Sequence, residues 1–257
     1  MKKKLSYFYV AVITAITYFP ILVTVVYSFN ASKISSVWDG FSLKWYAELF
    51  RDRDLREALV NSLVLALLSC SGAIVIGTMG ALGMHRKKNK WNEAVAYVSM
   101  LPIMIPEIIL GMVFMSVFSL MGLPFGMTTL VIAHTAFCIP YIYSMVKARL
   151  AGMDKALEEA ALDLGASPVR VFFDVTLPLI LPAVLSGAML AFAMSFDDVV
   201  ISIFVTGPRV NTLPVKIYTR IKTGVTPEIN ALASMMLLVT VILLLGSVAV
   251  SKIGKKK

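Results

Sequence analysis

The sequence is poor in the residues that soluble enzymes rely on. It holds two cysteines and two histidines, and 15% of its residues are charged, against roughly a quarter in a soluble domain. Cys70 and Cys138 both lie inside apolar runs and read as small buried side chains, not as a disulfide or a zinc site. His134 and Cys138 stand at i and i+4. With His85 as the other imidazole, four protein ligands for a metal are not at hand, and a packed helix face is the better reading. No G-x-x-x-x-G-K-S/T segment occurs, so the chain does not cradle ATP phosphates in a P-loop. No nucleophile–base constellation stands out. The formal net charge is +9, but no basic face or stripe accompanies it, which argues against nucleic acid as a partner.

What the chain has in abundance is apolar length. Hydrophobic residues make up 58% of it and the mean hydropathy is +0.83. Six segments are long and apolar enough to cross a bilayer, at 6–29, 59–84, 94–120, 127–146, 177–205 and 231–250. The lipid bilayer is thus the expected solvent, and the expected fold is an all-α integral membrane bundle forming one transmembrane domain over 1–257. The first segment is too long for a signal-peptide core and lacks a small-residue cleavage site, so it reads as a retained helix.

Basic residues orient the segments. With the N-terminus inside, the inner loops and ends carry Lys2, Lys3, Lys4, Arg86, Lys87, Lys88, Lys90, Lys147, Arg149, Lys155, Arg170, Lys252, Lys255, Lys256 and Lys257. Arg51, Arg53 and Arg56 fall outside but alternate with Asp52, Asp54 and Glu57. Both termini are therefore expected in the cytoplasm. Two stripes recur every four residues, Ser69-Ala73-Gly77-Ala81 and Ala183-Gly187-Ala191-Ser195. Small residues at that spacing let membrane helices approach closely.

The loop at 147–176 is neither a span nor a mere linker. Asp154 to Leu164 is rich in Ala, Leu and Glu and predicts a helix. Ala156, Leu157, Ala160, Ala161 and Leu164 form its apolar face, with Glu158, Glu159 and Asp163 around it. Gly165 is placed to end that helix, and Ser167-Pro168 to cap and start another. Leu177-Pro178 is expected to open the fifth span. An apolar patch rimmed by charge suggests a protein partner. Its acidity argues against a helix resting on anionic lipid.

Glu159-Ala160-Ala161, Gly165 four residues on, then Val175-Thr176-Leu177-Pro178 resembles the EAA motif of ABC-importer permeases. Trp45-Tyr46, Leu49-Phe50 and Asn61-Ser62 are similar to the same superfamily. The segments at 196–200, 204–208, 213–218 and 227–233 resemble PotC-type permeases of spermidine/putrescine importers. The resemblance implies a six-helix type I importer permease fold in a prokaryotic cell membrane. It implies that Glu158, Glu159, Ala160, Ala161, Asp163, Gly165, Leu177 and Pro178 belong to a coupling-helix region docked on an ATPase. It further implies an ABC ATPase homodimer holding the ATP and Mg, with no cofactor in this chain. A sister permease in a heterodimer and an extracytoplasmic polyamine-binding protein complete the implied assembly.

Three carboxylates fall within the spans: Glu107, Asp197 and Asp198. Intramembrane acids are costly and mark pathways by default. Pro102 and Pro106 break the third span beside Glu107. A cationic cargo would need such acids and aromatic faces, for which Phe196, Tyr141 and Tyr143 are candidates. The acids could instead hold a partner subunit. Arg209, Lys216, Arg220 and Lys222 would meet a binding protein or form a solvated face. Two other classes stay open: an ion-coupled secondary transporter, in which the acids relay protons, and an intramembrane aspartyl enzyme. ABC import of another substrate is a further alternative.

Overall fold

The computed structural model describes residues 2–33, 37–86, 90–154, 156–223 and 227–253. The basic residues Lys87, Lys88, Lys155, Lys255, Lys256 and Lys257, which entered the orientation argument, lie outside them. So do the side chains of Lys2, Lys3, Lys4, Arg86 and Lys252.

Twelve helices are described: α1 (Lys2–Tyr27), α2 (Lys44–Arg51), α3 (Arg53–Arg86), α4 (Lys90–Met104), α5 (Glu107–Leu120), α6 (Met127–Ala151), α7 (Ala156–Asp163), α8 (Pro168–Val171), α9 (Leu177–Asp197), α10 (Val200–Val205), α11 (Leu213–Thr223) and α12 (Pro227–Ile253). Among the described residues the only β-type pairing is a bridge between Asn30 and Phe41. An all-helical build is what lipid demands, because a helix satisfies its own backbone donors and acceptors.

Five helices are long and apolar enough to cross a membrane, and a sixth crossing results if the bent pair α4 and α5 counts as one. Those two helices meet at 111°. Pro106 lies at that corner, as the sequence predicts, whereas Pro102 sits within α4 without ending it. The fifth segment opens at Leu177-Pro178 as expected, where α9 begins, but a continuous helical stretch precedes it from Pro168, and its far end needs correction. A π turn over Phe172–Thr176 links α8 to α9, with the Leu177 N–H bonded to the Phe172 carbonyl. The wider turn accommodates Pro178, which has no N–H to give. At the far end the helix stops at Asp197 instead of running on to 205.

The core is the packing of α3, α6 and α9. Lipid tails are as apolar as leucine, so close van der Waals fit and interhelical hydrogen bonds hold this core together. The Ser69-to-Ala81 stripe supplies the fit. A Cβ at Gly77 would lie 3.0 Å from Ile142 Cβ and 3.1 Å from the Ile139 carbonyl of α6. Ser186 and Ser247 tie α9 to α12, each hydroxyl donating to the other's carbonyl at 3.1 and 2.9 Å.

Candidate functional site

The hairpin after α6 is built by local chemistry. Gly165 has φ +83°, a conformation that costs glycine little. It lets the Ala166 N–H reach the Ala161 carbonyl (3.1 Å) and the Gly165 N–H reach that of Leu162 (2.9 Å). This pair of bonds closes α7. Ser167 Oγ then accepts from the Arg170 N–H at 3.4 Å, with Pro168 at the start of α8. Asp154 caps the other end of α7, its Oδ1 accepting from the Ala156 N–H at 3.0 Å. The helix accordingly begins two residues later than composition suggested.

No residue of α7 is buried. Leu157, Leu162 and Leu164 are exposed, Leu164 to 90%. Glu159, Ala160 and Asp163 are exposed and Ala161 is half-buried. Glu158 is the exception in orientation. Its carboxylate turns back and accepts from the hydroxyl of the fully buried Thr176 at 2.6 Å. A second tie joins the same region, where Arg149 Nε of α6 donates to the Leu179 carbonyl at 2.8 Å. The hairpin thus presents an apolar and acidic face outward while being fastened to the start of α9.

The acids sit at two breaks in the bundle. Glu107 lies in the first turn of α5, just past the Pro106 corner, and is exposed. Asp197 is the last residue of α9. Asp198 follows with φ −67° and ψ 127°, an extended residue between α9 and α10. Its Oδ1 accepts from the Ile201 N–H at 3.2 Å, and its Oδ2 from the Ser202 N–H at 2.8 Å and Ser202 Oγ at 2.9 Å. His134 Nε2 of α6 stands 3.4 Å from the same Oδ2. Asp198 therefore caps α10 from inside the bundle. The two aspartates are not neighbours on one helix, and their side chains have separate surroundings.

Asp197 opens onto a cavity of about 340 Å³ between α9, α11 and α12, lined also by Val199, Pro214, Ile217, Tyr218 and Thr240. Phe196 is buried, stacked on Phe192 at 6.1 Å, and lines a different, apolar crevice with Leu49, Leu213 and Leu232. Tyr143 faces a cavity of about 540 Å³ near the hairpin, beside His85, Glu93 and Lys147. The Lys147 ammonium lies 5.4 Å from its ring. Tyr141 is half-buried and packs edge-on to Phe137. The three aromatics named from sequence are thus not gathered around Asp197. The aromatic residue lining the same cavity as Asp197 is Tyr218, which sequence reasoning missed because no spacing rule links 218 to 197.

The end of the bundle opposite the hairpin is fastened by charge. Arg220 of α11 bonds both Asp52 and Glu228, the latter at 3.0 Å, and Lys216 pairs with Asp54 at 3.0 Å. Burial alone would raise the Asp52 carboxyl. The Arg220 hydrogen bond, the Leu55 N–H, the Arg220 charge and the Asp54 N–H outweigh it and hold that carboxyl below its usual range. Burial likewise works against the Arg220 charge, but Asp52 and Glu228 reverse the balance and raise it. Of the four cations expected at this end, Lys216 and Arg220 are turned to carboxylates of this same chain. Lys222 lies over the Tyr218 ring at 4.6 Å, and Arg209 lines a small polar pocket with Glu57 and Asn61. Asn61 and Ser62 both anchor the segment entering α11, through the Asn211 carbonyl (3.2 Å) and the Leu213 N–H (2.8 Å). Among the described residues no group of three or more His, Cys, Asp or Glu is placed to hold a metal ion.

Residues 73–255 match the family described as binding-protein-dependent transport system inner membrane component. The chain is 41% identical over 227 residues to the putrescine transport system permease protein PotI of Escherichia coli, covering 86% of this chain and 81% of that protein. It is 37% identical over 244 residues to the spermidine/putrescine transport system permease protein PotC of Escherichia coli, covering 95% and 92%. A chain in the crystal structure of a bacterial alginate ABC transporter, in complex with an alginate-bound periplasmic protein, shares the fold. It has a TM-score of 0.67 at 16% identity, over 98% of this chain and 93% of that one. The apolar helices, the fold of an ABC importer permease and the match over most of its length make this chain a multi-pass membrane transport subunit. It belongs to the binding-protein-dependent transport system inner membrane component family.

Proposed function

We propose that this chain is the permease subunit of an ATP-driven polyamine importer, taking putrescine or spermidine as cargo. The observation that carries the reading is identity of 41% and 37% to permeases named for those cargoes, sustained over most of both chains. In this reading the chain is one transmembrane domain of six spans, with both termini cytoplasmic. It forms half of the pathway, and a sister permease supplies the other half in a heterodimer. An ABC ATPase homodimer, with its ATP and Mg, docks on the α7 hairpin. An extracytoplasmic polyamine-binding protein delivers cargo to the opposite end.

The hairpin geometry supports a coupling role for Glu158, Glu159, Ala160, Ala161, Asp163 and Gly165. A force on α7 reaches α9 through the Glu158–Thr176 bond and through the helical connection past Leu177 and Pro178. Movement of α9 displaces Asp197 at its tip, which is the physical basis for alternating access. Glu107 and Asp197 have the exposure needed to meet a cargo ammonium. Asp198 contributes by holding the break between α9 and α10. Tyr218 offers Asp197 an aromatic companion, and Tyr143 offers a ring nearer the hairpin.

The test is reconstitution in liposomes of this chain with an ATPase, a sister permease and a polyamine-loaded binding protein. Uptake of labelled putrescine or spermidine should require ATP and all four components. Uptake by this chain alone under a proton or sodium gradient would favour the secondary-transporter reading. ATP-driven uptake of a non-cationic cargo in place of polyamine would reassign the substrate.

A further inference from the structure

A buried polar chain crosses the break between α9 and α10. His134 on α6 is fully buried. Its Nδ1 lies 2.8 Å from Ser195 Oγ on α9, and its Nε2 lies 3.1 Å from Ser202 Oγ on α10. One imidazole thus touches the helix before the break and the helix after it. Ser195 Oγ in turn lies 3.0 Å from Ser69 Oγ on α3.

On the α10 side the Ser202 hydroxyl that meets Nε2 donates to Asp198 Oδ2 at 2.9 Å, and that carboxylate oxygen stands 3.4 Å from Nε2 itself. On the α9 side the Ser69 hydroxyl also reaches the Leu65 carbonyl at 2.7 Å, so the Ser195 hydroxyl that meets Nδ1 is tied back to α3.

We infer that His134 is the positioning residue of the broken span, bridging Ser195 on α9 to Ser202 and Asp198 at the start of α10 and pinning the two helices at a fixed angle. Every hydroxyl and both ring nitrogens find a partner, which is the condition under which a buried polar network specifies a geometry. The consequence is positional. Asp197 is adjacent to the break, so the elbow angle decides where its carboxylate stands on the wall of the α11–α12 cavity. The contacts at the break join residues 61 to 68 positions apart in sequence.

The test is made in the assembled transporter in bilayers, with spin labels at Leu185 and Ile203 reporting the angle across the break. His134→Gln should lose the narrow distance distribution of the native chain, while an unaltered distribution removes the pin. If His134→Gln does not assemble, Ser195→Ala and Ser202→Ala serve instead: each deletes one end of the bridge and should broaden the distribution, and an unaltered distribution in both overturns the inference. The measurement does not use transport, so it stands whatever the cargo proves to be.

Discussion

Glu158 of the exposed hairpin and the fully buried Thr176 share a 2.6 Å hydrogen bond across 18 residues of chain. It is the one side-chain bond by which α7 is fastened to the π turn beneath it among the described residues. A hydrogen bond to a charged group contributes about 1.5–3 kcal/mol. Thr176→Val keeps the shape and removes the donor. It should leave ATPase docking in place while reducing cargo moved per ATP by about tenfold, since about 1.4 kcal/mol is a factor of ten. The check is simultaneous measurement of uptake and phosphate release in proteoliposomes. An unchanged ratio would show that α9 follows the hairpin by another route.

Gly165 is a separate matter, because its role is conformational. A Cβ there would meet nothing within 4 Å, yet φ is +83°. Gly165→Ala should therefore cost about 1 kcal/mol from backbone strain alone. Gly165→Asn should cost less, since asparagine tolerates that region. Hydrogen exchange of the Ala166 and Gly165 amides, which close α7, reads the loss. Equal exchange in the native and Ala forms would contradict it.

The acids make a sharper prediction. Asp197→Asn and Glu107→Gln keep size and lose charge, and each should lower polyamine uptake by at least an order of magnitude in the paired-ammonium reading. Complex assembly should be intact, because neither carboxylate is an anchor of the core. Asp198→Asn differs in kind: it removes charge from a capping network, so it should also lower thermal stability. Normal uptake by both Asp197→Asn and Glu107→Gln would take these residues out of the mechanism.

How much of this was legible beforehand depends on range. The caps at Gly165 and Ser167 and the corner at Pro106 are local backbone effects, and their residues announce them. The small-residue stripe of α3 is periodic, and it does face α6. The break at Asp198 left a weaker trace: a run at 177–205 longer than a bilayer needs, with an aspartate that is a good helix N-cap at its turning point. No proline or glycine marks it, so it passed for continuous helix. The His134 network and the Tyr218 wall join residues far apart in sequence, and no periodicity encodes them.

The charged clasp at the other end predicts a pH response with a definite sign. The Asp52 carboxyl is lowered in the folded chain relative to its ordinary value, with Arg220 as the main favourable cause. A carboxyl so depressed contributes stability that is present above its unfolded value, about 4. That stability is lost as pH falls through the lower folded value. At neutral pH the clasp should be complete, and α11 should loosen only in acid below about pH 4. Arg220→Met should abolish that acid step and leave α11 loose throughout. Hydrogen exchange of α11 against pH makes the comparison, and loosening that sets in near neutrality would assign the response to another group.

Gly77 offers the cleanest measure of what holds the core together. In a bilayer the three central helices gain no hydrophobic energy by leaving lipid, so contact distance has to supply the stability. A Cβ at Gly77 would stand 3.0 Å from Ile142 Cβ and 3.1 Å from a backbone carbonyl, whereas one at Gly83, on the same helix, meets nothing within 4 Å. Overpacking costs about 1–3 kcal/mol, while alanine for glycine in an open helical position gains about 1 kcal/mol in propensity. Gly77→Val should therefore lower the melting temperature of the assembled complex. Gly77→Ala should do so less, because Ile142 can shift slightly, and Gly83→Ala should leave it level or raise it. The ordering matters more than any single value. If Gly77 and Gly83 substitutions moved the melting temperature alike, α3 and α6 would be held by something other than the closeness that the stripe permits.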